Sequence, residues 1–494
     1  MKAYNFLENH FKEISIINQI SDILGWDKEV IMPIGSLSAR IEQSSYLIKL
    51  AHEKICSSLI NEKITEALED MSSLNDWQKA NLLEIKKIFD DYASVDNSLM
   101  REYSSLRQEC EMVWRSARKN KSFIEVKPYF AKLLLAVRKI AAVKADYFKV
   151  SPYQALVNEY DSNRKVEEID SIFSELKNFL PQFIEKVRST QGEKPKLGGY
   201  FPIELQQQLG IEIMKDFGFD FNKGRLDTST HPFCGGIPHD IRLTTRYDEN
   251  DAFIALQGII HETGHALYEK NLPLEYAYQP VGRNLGMAIH ESQSLLTEMQ
   301  IGRSDEFVEY LIPKLIKYFS VDKTKFSQDN IAKYVKYVEP SFIRVDADEV
   351  TYPLHVIMRY ELEKQLIGGD LEVGDLPAAW NDYFRQTIGL TPDHDALGVL
   401  QDTHWYSGIF GYFPSYTLGA VTAAQLMNSI KKVIPEMNEQ IRRGDLKPIY
   451  DWLKMNIHSK GKLFSSDQLL VNSTGESLNP RYFTEYLESK YVHG

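Results

Sequence analysis

The sequence predicts a mainly α-helical protein with one small β-sheet. Apolar residues recur at steps of three and four through most of the chain, as in ANLLEIKKIFDDYASV (80–95) and YFAKLLLAVRKIAAVKADYF (129–148). This period is that of an amphipathic helix. Between residues 225 and 250 the pattern changes, because glycine and proline accompany two β-rich patches there, and DIRLTTRY (240–247) alternates as a strand does. We expect that strand to lie at an edge of the sheet.

The composition excludes several classes of protein. The 494 residues carry a formal charge of −12, and nucleic acid is not expected as a partner because phosphate binding needs a surplus of basic surface. No uncharged apolar run approaches the about 18 residues of a membrane span, and the charged N-terminus does not resemble a signal peptide. The isolated cysteines Cys56, Cys110 and Cys234 favour the reducing cytoplasm over a disulfide-linked secreted module.

The stretch TQGEKPKLGGYFP (190–202) is the best candidate for a junction between two lobes. It is rich in the residues that interrupt helices, and helical patterning resumes after it, at 203–217. No fixed-period repeat accompanies the helices, so a solenoid is not expected.

The motif HETGH, which begins at His261, predicts a metal site. On a helix His261 and His265 lie one turn apart on one face, so two imidazole nitrogens can reach one metal ion at about 2.0–2.1 Å. Glu262 then stands beside the metal, where it can take a proton from a metal-bound water. The flanking segments AFIALQGII (252–260) and ALYEK (266–270) contain no proline and support the helix.

A second helical stretch, MAIHESQSLLTEMQ (287–300), offers a third ligand in Glu291. A hydrolytic zinc site uses three protein ligands and keeps one position for water or substrate, and a His/His/Glu set meets that count. We expect one Zn²⁺ per chain, although Co²⁺ accepts the same ligands. Glu298 has two open interpretations: it hydrogen-bonds a ligand histidine, or it lies on a solvated helix face.

The segments HETGHALYE and HESQS resemble the M32 family of metallocarboxypeptidases. Other segments similar to family signatures follow in order: HPF at 231–233, DIRLT at 240–244, IRVDAD at 343–348 and GVLQDTHW at 398–405. The two ends of the chain are similar as well, so the resemblance covers essentially all of it. The chain departs from the family pattern after HESQS, where Leu295, Thr297 and Met299 stand in place of Arg, Trp and Asn.

The resemblance implies a single catalytic domain over residues 1–494. It implies a largely helical fold of two lobes around a deep groove, with the small sheet at the active site, as in neurolysin and angiotensin-converting enzyme. The implied activity is the metal-dependent removal of single C-terminal residues from peptides with broad specificity. The expected partners are peptides with a free C-terminus and, commonly in this family, a second copy in a homodimer; no membrane is expected.

Arg344, in IRVDAD, is the candidate for binding the substrate's terminal carboxylate. A carboxypeptidase must recognise that group, and arginine does so best through paired charge-assisted hydrogen bonds. The resemblance suggests the same residue. Asp348, four residues on, is expected to fix the guanidinium as a helical partner. The alternative is that the two form a helix-surface ion pair of small energetic value.

The aromatic segment around residue 410 is expected to stabilise the reaction's oxyanion. The tetrahedral intermediate needs a hydrogen-bond donor besides the metal. His404 and Tyr416 resemble the donors of the neurolysin-like relatives, and Tyr412 is the competing tyrosine. Any of these tyrosines could instead be packing. Gln401 could orient the substrate or a neighbouring helix.

The strand at 240–247 is expected to bind the peptide backbone by β-addition to its free edge. Such binding would tolerate many side chains, because backbone hydrogen bonds do not read sequence. A substrate with proline at the scissile nitrogen should then be poor, since it lacks the N–H. His231 and Arg242 are predicted to line this region, and a structural salt bridge is an equal alternative for Arg242.

Two other functions fit the metal motif alone. An endopeptidase or aminopeptidase could use the same metal-binding helix, and its activity would not depend on a free substrate C-terminus. A helical scaffold in which HETGH occurs by chance would carry no stoichiometric metal.

Overall fold

The computed structural model describes residues 1–162 and 164–492 and confirms a mainly helical fold. Helices account for 69% of the structure, and three short strands form one sheet. None of the described helices carries an apolar stretch long enough to cross a bilayer.

The first four helices have an apolar core of their own. They are α1 (Lys2–Val30), α2 (Leu37–Ile55), α3 (Ser58–Glu69) and α4 (Asp76–Ala93). Tyr4, Ile60 and Leu82 are fully buried in this core. Asn75 starts α4 with a capping box, in which its side chain and that of Gln78 each accept a hydrogen bond from the other's backbone N–H.

A second, larger core joins nearly all the remaining helices. Those before the sheet are α5 (Asn97–Asn120), α6 (Phe123–Phe148), α7 (Pro152–Val157), α8 (Val166–Thr190) and α9 (Ile203–Asp216). Val187 precedes the breaker-rich stretch, Phe201 lies within it and Leu209 follows it, and all three belong to this core. Apolar packing therefore continues across residues 190–202, and a lobe junction there stays a prediction.

The helices after the sheet carry the predicted metal ligands, Glu262 and Tyr416. They are α10 (Ala252–Asn271), α11 (Met287–Leu295), α12 (Asp305–Tyr318), α13 (Gln328–Val335), α14 (Tyr352–Gly368), α15 (Leu376–Thr387), α16 (Pro414–Val433), α17 (Met437–Arg443), α18 (Lys447–Asn456), α19 (Ser466–Thr474) and α20 (Arg481–Tyr491). A π-helix, Leu296–Gly302, continues directly from α11. The helical pattern of 287–300 predicted the helix but not this widened turn.

The sheet corrects one prediction. Its strands are β1 (Gly224–Thr228), β2 (Cys234–Ile237) and β3 (Asp240–Thr245), in the order β1-β3-β2. β1 pairs with β3 in parallel and β2 in antiparallel. The expectation that the strand at 240–247 is an edge strand with a free edge for a peptide is wrong, because β3 bonds to a neighbour on both sides. The free edges belong to β1 and β2.

Arg242 joins the sheet to the first helix. It is the register partner of Arg225 on β1, and both guanidinium groups stack on the ring of Trp26, at 4.6 and 4.7 Å from its centre. Asp240 holds Arg242 through two hydrogen bonds of 3.0 and 2.8 Å. Arg242 therefore forms a salt bridge with Asp240, and its role in substrate binding stays a prediction.

Candidate metal centre and active site

The three predicted metal ligands come together where α10 crosses α11. Nε2 of His265 lies 3.4 Å from Oε2 of Glu291, and Nε2 of His261 lies 4.0 Å from Oε1 of the same carboxylate. One ligand atom from each residue fits within 4.8 Å of the others. Ligands held about 2.0–2.1 Å from a tetrahedral ion lie about 3.4 Å apart, so the spacing suits one metal ion.

A glycine allows the two ligand-bearing helices to approach this closely. Gly264 stands between Glu262 and His265 on α10, against α11. A Cβ at this position would lie 2.4 Å from the carbonyl oxygen of Gln293 and 2.7 Å from Cα of Ser294. Both are backbone atoms that cannot move aside alone. Glycine lowers the stability of a helix because its helix propensity is low, and the close packing of α10 on α11 offsets this cost.

The electrostatics of the cluster also fit a cation. Burial alone would lower the pKa of His261, but Glu291 and Glu298 raise it to about 10. A buried site that favours positive charge this strongly suits a divalent metal ion. The pKa of His265 is lowered to about 4 by burial and by His290, which keeps its imidazole neutral, as a ligand must be.

Glu298 orients His261 rather than facing solvent. Its Oε2 lies 2.9 Å from Nδ1 of His261, and its Oε1 accepts a bond of 2.5 Å from Arg303. Burial opposes the charge on Glu298, yet Arg303 and His261 lower its pKa to about 2. Glu298 belongs to the π-helix. Because it contacts Nδ1 of His261, the Nε2 atom of that ring is free to bind a metal ion.

His290 supports the second histidine, a role that the sequence reasoning missed. Its ring stacks on that of His265 with centres 4.2 Å apart and planes at 16°. Its Nε2 lies 3.0 Å from Glu269, which also accepts a hydrogen bond of 2.8 Å from Asn284. The signal was present, since His290 is the first residue of HESQS.

Glu262 lies in the same buried region, one residue after His261. Only 6% of its surface is exposed. Burial raises its pKa to about 7, against the opposing effect of His261. Among the described residues, its buried Oε2 has no hydrogen-bond partner. A carboxylate with these properties can accept a proton near neutral pH.

We expect Gly419→Ala to weaken metal binding about 10–100-fold, the usual cost of disturbing a ligand's support. A Cβ at Gly419, on α16, would lie 2.8 Å from Cβ of Glu291 and would push this ligand away. Metal titration of the apoprotein measures the change. Gly25→Ala is the matched control, because nothing lies within 4 Å of its added Cβ. Equal metal affinities for the Gly419→Ala variant and the wild type would contradict the packing argument.

Arg344 is buried, and its partner differs from the predicted one. It begins a 3₁₀ turn (Arg344–Asp346) instead of a helix, so the expected i,i+4 pair with Asp348 does not form. Asp348 instead accepts hydrogen bonds of 3.0 Å from the backbone N–H groups of Val350 and Thr351. The Nε and Nη2 atoms of Arg344 bind Oδ1 of Asp402 at 3.0 and 2.9 Å.

Asp402 bridges two buried arginines. Its Oδ2 binds Nε and Nη2 of Arg359 at 2.7 and 2.6 Å. Arg359 is fully buried and Arg344 is 5% exposed. The trio therefore carries one net positive charge. No other carboxylate among the described residues lies within 4.0 Å of either guanidinium.

Gln401 holds the backbone near Arg344. Its Oε1 accepts a hydrogen bond of 2.9 Å from the Arg344 N–H, and its Nε2 donates to the carbonyl oxygens of Phe342 and Leu397, both at 3.0 Å. All three hydrogen bonds of its amide thus go to backbone groups of this protein, and Gln401 orients the backbone on either side of it.

His404 and Tyr416 are brought together as expected. Nε2 of His404 lies 3.2 Å from the hydroxyl of Tyr416, and the ring of Tyr412 lies 5.3 Å from that of Tyr416. Burial lowers the pKa of His404 to about 3, with a further contribution from Arg344, so its ring is neutral. Burial raises the pKa of Tyr416 to about 12, so its hydroxyl keeps its proton. Each keeps one proton at neutral pH, and one of these two protons lies in the hydrogen bond between them.

His231 is exposed and lies between β1 and β2. It precedes β2, and within the described part of the chain its ring makes no hydrogen bond. Burial of part of the ring and nearby Arg118 and Arg246 lower its pKa. Its assignment to substrate binding stays a prediction.

Comparison with known proteins shows the family of the chain. The family model described as Carboxypeptidase Taq (M32) metallopeptidase matches residues 6–491. Carboxypeptidase 1 of Bacillus subtilis (strain 168) is 34% identical over 97% of this chain and 96% of its own length. Thermostable carboxypeptidase 1 of Thermus thermophilus is 33% identical over 99% and 98%.

Solved structures agree in fold over the full length. Metallocarboxypeptidase 1 of Trypanosoma cruzi superposes with a TM-score of 0.97 at 36% identity, covering 100% of both chains. The M32 carboxypeptidase from Deinococcus radiodurans R1 gives 0.95 at 31% identity, covering 100% of this chain and 99% of its own. The scaffold in which HETGH occurs by chance is thereby excluded. The chain belongs to the M32 family of metallopeptidases and is a metallocarboxypeptidase, a hydrolase of peptides.

Proposed function

We propose that this metallocarboxypeptidase uses Zn²⁺, held by His261, His265 and Glu291, to remove single C-terminal residues from peptides of broad sequence. Co²⁺ suits the same ligands. The observation that carries the proposal is the buried positive charge of Arg344 close to the aromatic residues His404 and Tyr416: the Arg344 guanidinium lies 4.7 Å from the Tyr416 ring centre.

Glu262 is the general base of the proposed reaction. A bound divalent cation supplies Lewis acidity to water and to the scissile carbonyl. Glu262 accepts the proton of the attacking water on its carboxylate and delivers it to the leaving amine. Its burial favours this cycle, because a carboxyl group with a pKa of about 7 exchanges protons readily at neutral pH.

His404 and Tyr416 donate hydrogen bonds to the oxyanion as negative charge develops on the carbonyl oxygen. Their low-dielectric surroundings strengthen such bonds. Tyr412 packs against Tyr416 and is the competing donor. Tyr416 is favoured because its hydroxyl already pairs with the ring of His404.

Arg344 binds the terminal carboxylate. The trio of Arg344, Arg359 and Asp402 has one positive charge in excess, and an uncompensated buried charge is costly. A substrate carboxylate would balance it. An internal peptide carbonyl would not, which favours a carboxypeptidase over an endopeptidase or aminopeptidase with the same metal helix.

Broad specificity would follow if the substrate backbone pairs with the sheet. Since β3 is central, the free edge that we propose for the peptide is that of β2, which packs against α10 as β3 does. Nothing lies within 4 Å of a Cβ placed at Gly235 on β2, so the backbone is open there. We also propose a cytoplasmic homodimer, in keeping with the isolated cysteines and the family resemblance.

We expect the enzyme to cleave a plain peptide but not its C-amidated twin. Amidation removes the charge that Arg344 binds and should lower kcat/KM by at least about 100-fold. Mass spectrometry of the products after parallel digestion measures this. A chelator should abolish cleavage, and Zn²⁺ should restore it. Equal cleavage of both twins would refute recognition of the terminal carboxylate by Arg344.

A further inference from the structure

Tyr352 begins α14 beside Arg344 and has a hydroxyl proton to offer. Its oxygen accepts a hydrogen bond of 2.9 Å from Nη1 of Arg344. That bond uses the oxygen as an acceptor, so the phenol's own O–H is available as a donor. Within residues 1–162 and 164–492, the hydroxyl makes no other hydrogen bond.

The ring of Tyr352 packs against Tyr416, one of the proposed oxyanion donors. The ring of Tyr352 meets that of Tyr416 edge to face, with centres 6.1 Å apart and planes at 90°. Tyr352 is half-buried, so part of its surface is exposed. Burial, and less strongly the charge of Glu291, raise its pKa well above 10, so the proton stays on the oxygen.

Arg344 keeps N–H donors that its protein partners do not use. Asp402 occupies the edge formed by Nε and Nη2, and Tyr352 occupies one hydrogen of Nη1. A guanidinium has five N–H donors, which leaves one on Nη1 and one on Nη2 for a ligand. A carboxylate bound to these two hydrogens would bring an oxygen next to the Tyr352 hydroxyl.

We propose that Tyr352 is a substrate-binding residue whose hydroxyl donates a hydrogen bond to the terminal carboxylate that Arg344 binds. The proposal rests on the proposed function. It assigns the carboxylate subsite three donors, two from Arg344 and one from Tyr352. Asp402 fixes the opposite edge of the guanidinium.

Tyr352→Phe tests this, because it removes only the hydroxyl and keeps the ring. With the metal-loaded full chain and a plain peptide, we expect KM to rise about 10–100-fold, the effect of losing one hydrogen bond to a charged group. The value of kcat should stay within about threefold, since the bond is present before and during the chemical step.

Tyr360→Phe is the matched control on the same helix. Its hydroxyl bonds Asp170 at 2.6 Å, far along α14 from Arg344, so KM should not change. A fall in kcat with unchanged KM in Tyr352→Phe would assign the hydroxyl to the oxyanion instead. An unchanged KM and kcat would mean that it does not touch substrate. Either result overturns the proposal.

The C-amidated twin separates this inference from the proposed function. If the wild-type enzyme cleaves both twins equally, carboxylate recognition itself fails. If the wild type discriminates and Tyr352→Phe discriminates equally well, only the role of Tyr352 fails. We expect Tyr352→Phe to discriminate about 10–100-fold less than the wild type.

Discussion

Glu262→Gln should lower kcat by about 10²–10⁴-fold while the protein keeps its metal. The amide has nearly the volume of the carboxylate but cannot accept the proton of the attacking water. The ligands His261, His265 and Glu291 are unchanged, so elemental analysis should still find one metal ion per chain. Steady-state cleavage of a plain peptide measures the loss.

Glu262→Asp separates the loss of the base from damage to the fold. It keeps a carboxylate but withdraws it by one methylene, so its activity should lie between those of the wild type and Glu262→Gln. Both variants should unfold at the wild-type temperature. A metal-loaded Glu262→Gln enzyme with wild-type kcat would show that another group is the base.

The metal ligands could be predicted from sequence because their geometry is local. Helical periodicity places His261 and His265 on one face, and the count of ligands needed for zinc directs attention to Glu291. Helical periodicity could not predict the π-helix, Leu296–Gly302, which brings Glu298 to His261. A widened turn depends on packing against α10 and α16, which no single segment reveals.

The partners of Arg344 could not be predicted because they are distant in sequence. Asp402 lies 58 residues away, whereas the spacing argument considered only Asp348 nearby. For the same reason, the sequence wrongly predicted that β3 is an edge strand. Its alternation predicts a strand, but its position in the sheet depends on two short strands, β1 and β2, that pair on either side of it.

Asp402→Ala should destabilise the protein by about 3–5 kcal/mol, the usual cost of removing one partner from a buried ion pair. It would leave the guanidinium groups of Arg344 and Arg359 buried without a counter-charge. Urea unfolding of variant and wild type measures the difference. Asp346→Ala is the control, because its pair with Arg246 is exposed and should contribute less than about 1 kcal/mol.

The contribution of Asp402 to the free energy of unfolding should also depend on pH. Burial alone would raise its pKa, but Arg359 and Arg344 lower it well below the ordinary 3.8. A carboxyl group with a lowered folded pKa stabilises the protein fully above its unfolded pKa, and this contribution is lost as the pH falls through the folded value. The difference between wild type and Asp402→Ala should therefore be constant from pH 8 to about 5 and should begin to shrink only in stronger acid. A difference that disappears between pH 8 and pH 5 would mean that other groups, and not the charge on Asp402, hold the two arginines in place.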